Sequence, residues 1–322
     1  MKIIVTGGAG FIGSHLVTEL LKKKDQVISI DNFDPFYSRD IKESNIKKHY
    51  HSPDFIFIEE DILNTDSIYK KIGNEKIDLI IHLAAKAGVR PSIERPREYH
   101  LVNTEGTKRM LELAARLGVK KFLFASSSSV YGENPNTPWK ESDTDLRPIS
   151  PYASSKIAAE NIGRVFSETK GLDFTALRFF TVYGPGQRPD LAIHKFFRNI
   201  IEGNSIPVYG DGSTSRDYTY IDDIISGILG AINLGFKPSS FSIYNLGNSS
   251  TVKLSELISL IENITGKKAI LDRKQNQPGD VRHTNADISK SLKELAFKPV
   301  TGIRKGLQEF FEWYIAYYKL KL

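Results

Sequence analysis

Apolar residues in the first 180 positions fall in short continuous runs that alternate with longer segments of helical spacing. Runs such as Ile3-Ile4-Val5 and Phe122-Leu123-Phe124 contain no polar position, which is typical of strands buried on both faces of a parallel sheet. The pattern predicts strands at residues 3–6, 26–30, 55–59, 78–83, 121–125 and 173–178, and helices at residues 11–24, 99–117 and 151–169. This alternation favours an α/β fold with a doubly wound parallel sheet.

The pattern changes after about residue 180. Turn residues cluster at residues 183–186, 210–213 and 277–280, and the helices between them are separated by short strands and long loops. We expect a first lobe at residues 1–180, to which segments of about 220–250 return, and a smaller C-terminal lobe at residues 181–322. A ligand cleft is expected between the lobes. A last helix is predicted at residues 303–318, and we interpret its aromatic stripe as packing.

Composition narrows the class of protein. The 322 residues are 40% hydrophobic with a net charge of +6, which excludes a disordered chain. The absence of cysteine excludes disulfides, thiolate metal sites and thiol nucleophiles. His49 and His51 form the only close histidine pair and lack carboxylates at a metal-ligand spacing, so no metal is expected. We find no apolar run of ~20 residues and no basic block. The apolar part of residues 1–7 is too short for a signal peptide, so none is expected. We therefore expect a cytoplasmic protein that binds neither membranes nor nucleic acid.

A glycine-rich turn follows the first predicted strand and opens the first helix. Gly7, Gly10 and Gly13 allow a tight turn and a close approach of the backbone to a diphosphate at a helix N-terminus. Asp31 ends the second strand, 18 residues after Gly13. A carboxylate at that place accepts hydrogen bonds from ribose hydroxyls and repels a 2′-phosphate, so the pattern favours NAD over NADP.

Tyr152 and Lys156 lie four residues apart after Pro151, which suits the first position of a helix. Both side chains therefore project from one face. A cation beside a phenol lowers its pKa, which a tyrosine needs in order to act as a base near neutral pH. A serine run at residues 126–129 follows a predicted strand, at the end where open α/β sheets bind ligands.

These features resemble the extended short-chain dehydrogenases/reductases, in the group of nucleotide-sugar epimerases and dehydratases. The resemblance covers essentially the whole chain. It is carried by Thr6-Gly7-Gly8-Ala9-Gly10-Phe11-Ile12-Gly13, His82-Leu83-Ala84-Ala85, Ser127 with Tyr131-Gly132, Tyr152-x-x-x-Lys156, and Gly210-Asp211-Gly212 leading to Arg216-Asp217-Tyr218.

The resemblance implies a role for each matching residue. The catalytic residues would be Ser127, Tyr152 as the base and Lys156 as its cationic partner. The cofactor NAD would be bound by Gly7, Gly10, Phe11, Ile12, Gly13, Asp31, Asn32, Asp61, Ile62, Leu83, Ala84, Ala85 and Lys86, together with Tyr152 and Lys156. The UDP-sugar substrate would be bound by Thr181, Arg188, Tyr209, Arg216 and Arg282, with the last two arginines on the diphosphate and Tyr209 beside the uracil. The resemblance also implies a homodimer formed by the helices at residues 99–117 and 151–169.

Ser128 and Ser129 narrow the reaction within this group. Dehydratases of the group carry an Asp-Glu pair at these positions, and decarboxylases carry a Glu, because those reactions need a further acid or base. Two serines disfavour both reactions. Epimerisation at C4 through a transient 4-keto sugar needs no further group, so the resemblance implies an isomerase.

Two segments indicate which sugar is bound. Residues 85–92 and 178–192 resemble the UDP-glucuronate 4-epimerase branch, with Leu191 where that branch usually has Met. Arg188 matches the arginine that meets the sugar carboxylate in that branch, and Thr181 a nearby hydroxyl. Two alternatives stay open. One is a UDP-glucose/UDP-galactose or UDP-N-acetylhexosamine 4-epimerase. A neutral sugar would leave Arg188 without a charge partner, which argues against this alternative. The other is a non-catalytic NAD-binding sensor.

Overall fold

The computed structural model describes residues 1–275 and 281–320. The turn predicted at residues 277–280 lies outside the described part of the chain. The strands are β1 (Lys2–Thr6), β2 (Gln26–Asp31), β3 (Phe55–Glu59), β4 (Leu79–His82), β5 (Lys121–Ser127), β6 (Asp173–Phe179), β7 (Thr181–Tyr183), β8 (Ser205–Tyr209), β9 (Ser215–Tyr220), β10 (Phe241–Leu246), β11 (Thr251–Lys253) and β12 (Ile270–Lys274).

Seven of these strands form one parallel sheet in the order β10-β6-β5-β4-β1-β2-β3. The chain starts in the middle of the sheet at β1, builds outward through β2 and β3, and then returns to the other side of β1 to add β4, β5 and β6. This reversal creates a crevice at the carboxyl ends of β1 and β4, which is where doubly wound sheets bind ligands. The doubly wound α/β fold predicted from the sequence is confirmed.

The helices of the described chain cover both faces of this sheet or build the remainder of the molecule. They are α1 (Phe11–Lys22), α2 (Arg39–Ile46), α3 (Thr65–Ile72), α4 (Val89–Glu94), α5 (Pro96–Tyr99), α6 (Gly106–Arg116), α7 (Pro151–Lys170), α8 (Ala192–Glu202), α9 (Ile221–Asn233), α10 (Leu254–Thr265), α11 (Ser289–Leu295) and α12 (Ile303–Tyr318). None of the helices in the described ranges is long and apolar enough to cross a membrane.

The continuous apolar runs of the strands serve two cores. On β1, Ile3 and Val5 belong to one cluster of buried side chains, which includes Leu16 of α1 and Ile224 of α9. The residue between them, Ile4, belongs to a second cluster on the other face, with side chains from α3, α6 and α7. Since successive side chains of a strand point to opposite faces, a strand covered on both faces has to be apolar at every position.

The part of the chain that follows residue 180 forms two small sheets and also adds one strand, β10, to the seven-stranded sheet. β9 pairs with β7 and β11, and β12 pairs with β8. β10 lies beside β6 at the edge of the seven-stranded sheet. The predicted last helix is confirmed as α12. Its aromatic stripe packs as expected, since Phe310, Phe311 and Tyr314 are buried.

The helix predicted at residues 99–117 differs from the structure. The helical segment begins earlier, with α5, passes through a π-helical turn at His100–Glu105 and continues as α6. A π-turn adds a residue to the helical repeat, so the faces before and after it are offset. Hydrophobic periodicity does not reveal such a local change. This turn carries Asn103, whose contacts reach the site described below.

Candidate active site

A cavity of about 520 Å³ opens at the carboxyl ends of the central strands. One end is lined by the N-terminus of α1, by Asp31 and Asn32 after β2, and by Asp61 and Ile62 after β3. The other end is lined by Tyr152, Lys156, Thr181, Arg188 and Arg216, with the segment from Leu83 to Val89 between the two ends. The fold therefore brings most of the residues predicted for cofactor and substrate into one cavity.

The glycine turn is a close contact between α1 and the sheet. Gly7 has φ +70°, and a Cβ on it would lie 2.8 Å from the backbone nitrogen of Ala84. A Cβ on Gly13 would lie 2.1 Å from the carbonyl oxygen of Gly7. Neither position can hold a larger residue without moving backbone. This brings the N-terminus of α1, where a helix leaves N–H groups without intrahelical partners, to the wall of the cavity.

The end of the cavity that Asp31, Asn32 and Asp61 line is acidic, and hydrogen bonds hold its side chains in place. Asp31 is buried, and its carboxylate accepts from the backbone nitrogens of Ala9 at 3.2 Å and Phe33 at 2.9 Å. Burial raises the pKa of Asp31, and the nearby Lys42 opposes this rise. The side-chain amide of Asn32 donates to Asp61 at 2.7 Å, so the ends of β2 and β3 are tied together at this place.

Tyr152, Lys156 and Ser127 meet at the other end. Ser150 caps α7 by accepting from the backbone nitrogen of Ala153 at 3.1 Å, so the helix starts one residue before Tyr152 and its first turn faces the end of β5. The Lys156 ammonium donates to the carbonyl of Ala125 at 2.7 Å and lies 6.0 Å from the centre of the Tyr152 ring. Ser127 is hydrogen-bonded to Tyr152 and also donates to the Ser129 hydroxyl at 3.2 Å.

Burial shifts the two ionisable groups of this cluster toward their neutral forms. Burial raises the pKa of Tyr152, while the Ser127 hydrogen bond and the positive charge of Arg188 lower it in part. Burial lowers the pKa of Lys156 to about 7, opposed by the negative charge of Glu160. The arrangement can therefore hold or release protons near neutral pH.

Asn103 supports this cluster from behind, although nothing in the sequence pattern singled it out. It is buried, and its side chain exchanges two hydrogen bonds with the backbone of Lys86, at 2.8 and 2.9 Å. It also donates to the Ser155 hydroxyl of α7 at 3.0 Å. The side chain of Lys86 pairs with Asp34 at 2.9 Å. These bonds fix the segment after β4 against the helix that carries Tyr152 and Lys156.

Arg188 has a partner that the sequence analysis missed. Its guanidinium forms two parallel hydrogen bonds with Asp190, Nε to Oδ1 at 2.9 Å and Nη2 to Oδ2 at 2.7 Å. The expectation that a neutral sugar would leave Arg188 without a charge partner is therefore wrong, because the chain itself supplies a carboxylate. The spacing Arg188-x-Asp190 was visible in the sequence, but two residues in a loop give no periodicity from which to predict contact.

The remaining predicted substrate residues are spread more widely. Thr181 and Arg216 line the cavity, whereas Tyr209 and Arg282 do not. Arg216 donates to the backbone carbonyl of Arg282 at 3.1 Å, and the Arg282 side chain is exposed. The ring of Tyr209 lies under the guanidinium of Arg90, 4.3 Å from its Cζ.

Comparison with known proteins agrees with this geometry. The family model described as the NAD dependent epimerase/dehydratase family matches residues 3–247. This chain belongs to that family. Protein CapI of Staphylococcus aureus is 39% identical over 99% of this chain and 100% of its own. UDP-glucuronate 4-epimerase 4 of Arabidopsis thaliana is 38% identical over 99% of this chain and 76% of its own.

Among solved structures, the UDP-glucuronic acid 4-epimerase from Bacillus cereus in complex with UDP-glucuronic acid and NAD superposes with a TM-score of 0.92. It is 36% identical, and the match covers 99% of this chain and 100% of that one. The structural match to this family member therefore includes the elements that form the cavity.

Proposed function

We propose that this protein is an NAD-dependent UDP-sugar 4-epimerase that interconverts UDP-glucuronate and UDP-galacturonate. The observation that carries the sugar assignment is Arg188, a cation that lines the cavity close enough to lower the pKa of Tyr152. A substrate held with C4 at Tyr152 would present its C5 substituent to this end of the cavity. The glucuronate 4-epimerases among its relatives support the same assignment.

The residues of the cavity fit a dinucleotide. The Gly7–Gly13 turn admits a diphosphate against the N-terminus of α1, and a Cβ on Gly7 or Gly13 would collide with neighbouring backbone. Asp31 would accept from the adenosine ribose, with Asn32, Asp61 and Ile62 around it, and Leu83 to Lys86 would line the path toward Tyr152. When bound, NAD supplies the acceptor and later the donor of hydride at C4 of the sugar.

Tyr152 would act as the general base and acid. Its phenol would take the proton from O4 as the sugar is oxidised and return it when the sugar is reduced. Because burial raises the pKa of this phenol, it needs nearby positive charge to ionise. Lys156, held on the Ala125 carbonyl at 2.7 Å, and Arg188 would supply that charge.

Ser127 would orient the sugar hydroxyl. It is hydrogen-bonded to Tyr152, so a hydroxyl that reaches one of these groups can reach both. Ser128 and Ser129, which line the cavity, bring no titratable group to the neighbouring carbons. The 4-keto sugar would therefore be reduced again rather than lose water, and reduction on its other face inverts C4.

Arg188 would hold the sugar carboxylate. The 4-keto form of a glucuronate is a β-keto acid, which loses CO₂ readily when the bond to the carboxylate is aligned with the ketone π system. A charge-assisted hydrogen bond that keeps this bond out of alignment contributes about 1.5–3 kcal/mol. Such a contact suppresses decarboxylation and favours return of the hydride.

A neutral UDP-sugar is the second candidate substrate, and the Arg188–Asp190 pair favours it. Since Asp190 already neutralises Arg188, a hydroxymethyl group could lie beside the pair without leaving a buried charge unpaired. UDP-glucose/UDP-galactose or UDP-N-acetylhexosamine epimerisation would use the same Tyr152, Lys156 and Ser127.

The Arg188→Ala variant separates the two candidates. We expect kcat/KM to fall for both sugars, because the charge that lowers the pKa of Tyr152 is lost. For UDP-glucuronate we expect a further fall of about 10- to 100-fold, which corresponds to loss of one charge-assisted hydrogen bond. Arg147→Ala is the matched control, because Arg147 forms the same two-bond pair with Asp145 on the surface. Unchanged turnover of UDP-glucuronate by Arg188→Ala would refute the role assigned to Arg188 in holding the sugar carboxylate.

A further inference from the structure

The carboxylate of Asp217, on β9, is buried and accepts hydrogen bonds from three segments of the chain. Oδ1 accepts from the backbone nitrogen of Asn248 at 2.7 Å and from the Thr219 hydroxyl at 3.3 Å. Oδ2 accepts from the backbone nitrogens of Ser249 at 3.0 Å and Ala286 at 3.1 Å. Hydrogen bonds of this kind make a buried charge tolerable. One side chain therefore joins β9 to the loop after β10 and to the segment that precedes α11.

That segment, residues 281–286, lies against β9 and forms part of the cavity wall. The backbone of β9 donates to the Arg282 carbonyl at 3.0 Å and accepts from the Thr284 nitrogen at 3.2 Å. The backbone nitrogen of Asp217 donates to the Thr284 hydroxyl at 3.0 Å. Val281 and Thr284 line the cavity, and Arg282 is one of the two arginines expected to bind the substrate diphosphate. The position of residues 281–286 therefore shapes the substrate end of the cavity.

Asp217 and the preceding residue, Arg216, serve opposite faces of β9. Neighbouring residues of a strand point to opposite sides, and Arg216 lines the cavity whereas Asp217 does not. Arg216 also donates to the carbonyl of Arg282 at 3.1 Å, so both arginines expected on the diphosphate depend on how residues 281–286 lie on β9. A change at Asp217 can therefore move these arginines without removing a group that faces the ligand.

The three segments approach each other closely around the carboxylate. A Cβ on Gly247, in the loop after β10, would lie 2.5 Å from the Cβ of Ala286 and 3.1 Å from Oδ2 of Asp217. The backbone of Trp139 also forms two hydrogen bonds of 2.9 Å with the chain on either side of Ala286. We therefore expect residues 281–286 to stay attached when the carboxylate is removed, with a changed position on β9.

We propose that Asp217 is a positioning residue that holds residues 281–286 on β9 and thereby places Arg216 and Arg282 for the diphosphate of the substrate. The inference rests on the proposed function, because the ligand is taken to be a UDP-sugar. A carboxylate suits this role, since its two oxygens can accept four hydrogen bonds and donate none. The Asp217→Ala substitution would leave the buried N–H of Ala286 without its acceptor.

The Asp217→Ala variant tests this role by separating binding from turnover. We expect it to raise the KM for UDP-glucuronate and the Kd for UDP by about tenfold, which corresponds to loss of one hydrogen bond to a charged group. The kcat should stay within about threefold of wild type, because Tyr152 and Lys156 are held by contacts with β5. The NAD-loaded proteins would be assayed and titrated calorimetrically at pH 8, where Asp217 is ionised although burial raises its pKa to about 6.

Asp223→Ala is the matched control. Asp223 is also buried, on α9, and its carboxylate accepts from the backbone nitrogens of Val300 and Thr301, each at 3.0 Å. None of these three residues lines the cavity. The control removes a comparable buried carboxylate that joins distant segments. We therefore expect a similar decrease in the free energy of unfolding, with KM and Kd within about twofold of wild type.

The Asp217→Asn variant covers the case in which Asp217→Ala fails to fold, as judged by circular dichroism. An amide has a single acceptor oxygen, so it keeps the donors of one carboxylate oxygen and loses those of the other. We expect the same separation of KM from kcat, with a smaller rise in KM of about threefold. Loss of folding in both variants would show a general structural role and overturn the inference.

The outcomes also separate the inference from the function on which it rests. A higher KM and Kd in the Asp217 variants, with kcat retained and Asp223→Ala unaffected, supports the positioning role. If wild type converts a UDP-sugar but Asp217→Ala binds UDP as tightly as wild type, loses kcat as much as affinity, or is matched by Asp223→Ala, the inference fails and the proposed function stands. If wild type converts no UDP-sugar, the proposed function fails and the inference with it.

Discussion

At the scale of single residues, burial acts in opposite directions on the two ionisable groups beside the reacting carbon. It raises the pKa of Tyr152 and lowers that of Lys156 to about 7, so each group is driven toward its neutral form. A neutral phenol is a poor base. The positive charge of Arg188 lowers the pKa of Tyr152, which makes the chemistry at C4 sensitive to whatever binds Arg188.

His82 gives a pH dependence of stability. Its ring is buried at the end of β4, between the hydroxyls of Thr6 at 2.7 Å and Thr107 at 3.2 Å. Burial lowers its pKa to about 3 from 6.5. The unfolded chain therefore binds a proton below pH 6.5 that the folded chain does not, and stability is lost as the pH falls. Between pH 7 and pH 5 the loss amounts to about 2 kcal/mol from this group.

The His82→Gln variant measures this contribution. We expect the difference in free energy of unfolding between pH 7 and pH 5, measured by urea titration, to shrink by about 2 kcal/mol. His51→Gln is the control, because His51 is exposed. An unchanged pH dependence in His82→Gln would show that the folded protein accommodates the protonated ring.

How much of the site could be predicted from the sequence depends on the range of the interactions. Gly7, Gly13, Tyr152 and Lys156 lie at fixed spacings around a strand or helix end, and the structure brings them to one cavity. Asn103 could not be found in this way, because its partners are 17 and 52 residues away. The Arg188–Asp190 pair is local, but it depends on rotamers in a loop, for which no pattern exists.

At the scale of elements, a buried ion pair joins the helix of the catalytic residues to the sheet. Glu160 of α7 accepts from Arg178 of β6 at 3.0 and 2.8 Å and from the Ser126 hydroxyl of β5 at 2.5 Å. The side chains of the pair are only 5% and 2% exposed. Ser126 directly follows Ala125, whose carbonyl holds Lys156. The pair therefore fixes β5 and β6 against α7 beneath the catalytic cluster.

Removing one member of this ion pair should lower the free energy of unfolding more than removing both members. We expect Glu160→Met and Arg178→Met each to lower the free energy of unfolding by about 3–5 kcal/mol, because each leaves a buried charge unpaired. The double variant should be clearly more stable than the sum of the single effects implies. The surface pair of Arg116 and Asp66 serves as the control, with about 0–1 kcal/mol expected. Additive single effects in urea unfolding would contradict this account.

The elements themselves were predicted with uneven success, for a physical reason. The strands of the main sheet that were predicted from continuous apolar runs were found, because burial on both faces requires such runs. β10 also joins this sheet, 62 residues after β6 ends. It lies in the segment of about 220–250 that was expected to return to the first lobe, but no strand was predicted there. Which strand lies at an edge is decided by packing between distant segments, and a local pattern carries no information about it. The same holds for the π-turn before α6.

At the scale of the whole molecule, different parts of the chain line one cavity and supply the residues expected to bind the cofactor and the substrate. The sheet supplies the glycine turn and Asp31, while Thr181, Arg188 and Arg216 come from chain after β6. The division into lobes at residue 180 stays a prediction, as does the homodimer. Leu101 and Val165, on the helices expected to form its interface, are about half exposed, which is compatible with a partner surface.

The central claim is the identity of the reaction and its sugar. The most direct test incubates wild type with UDP-glucuronate, UDP-glucose and UDP-N-acetylglucosamine in separate tubes, with NAD added to half of each, and identifies products by anion-exchange chromatography and proton NMR. We predict UDP-galacturonate from UDP-glucuronate and no conversion of the neutral sugars. Conversion of only the neutral sugars would contradict the assigned substrate, and a UDP-pentose or a stable 4-keto product would contradict epimerisation itself.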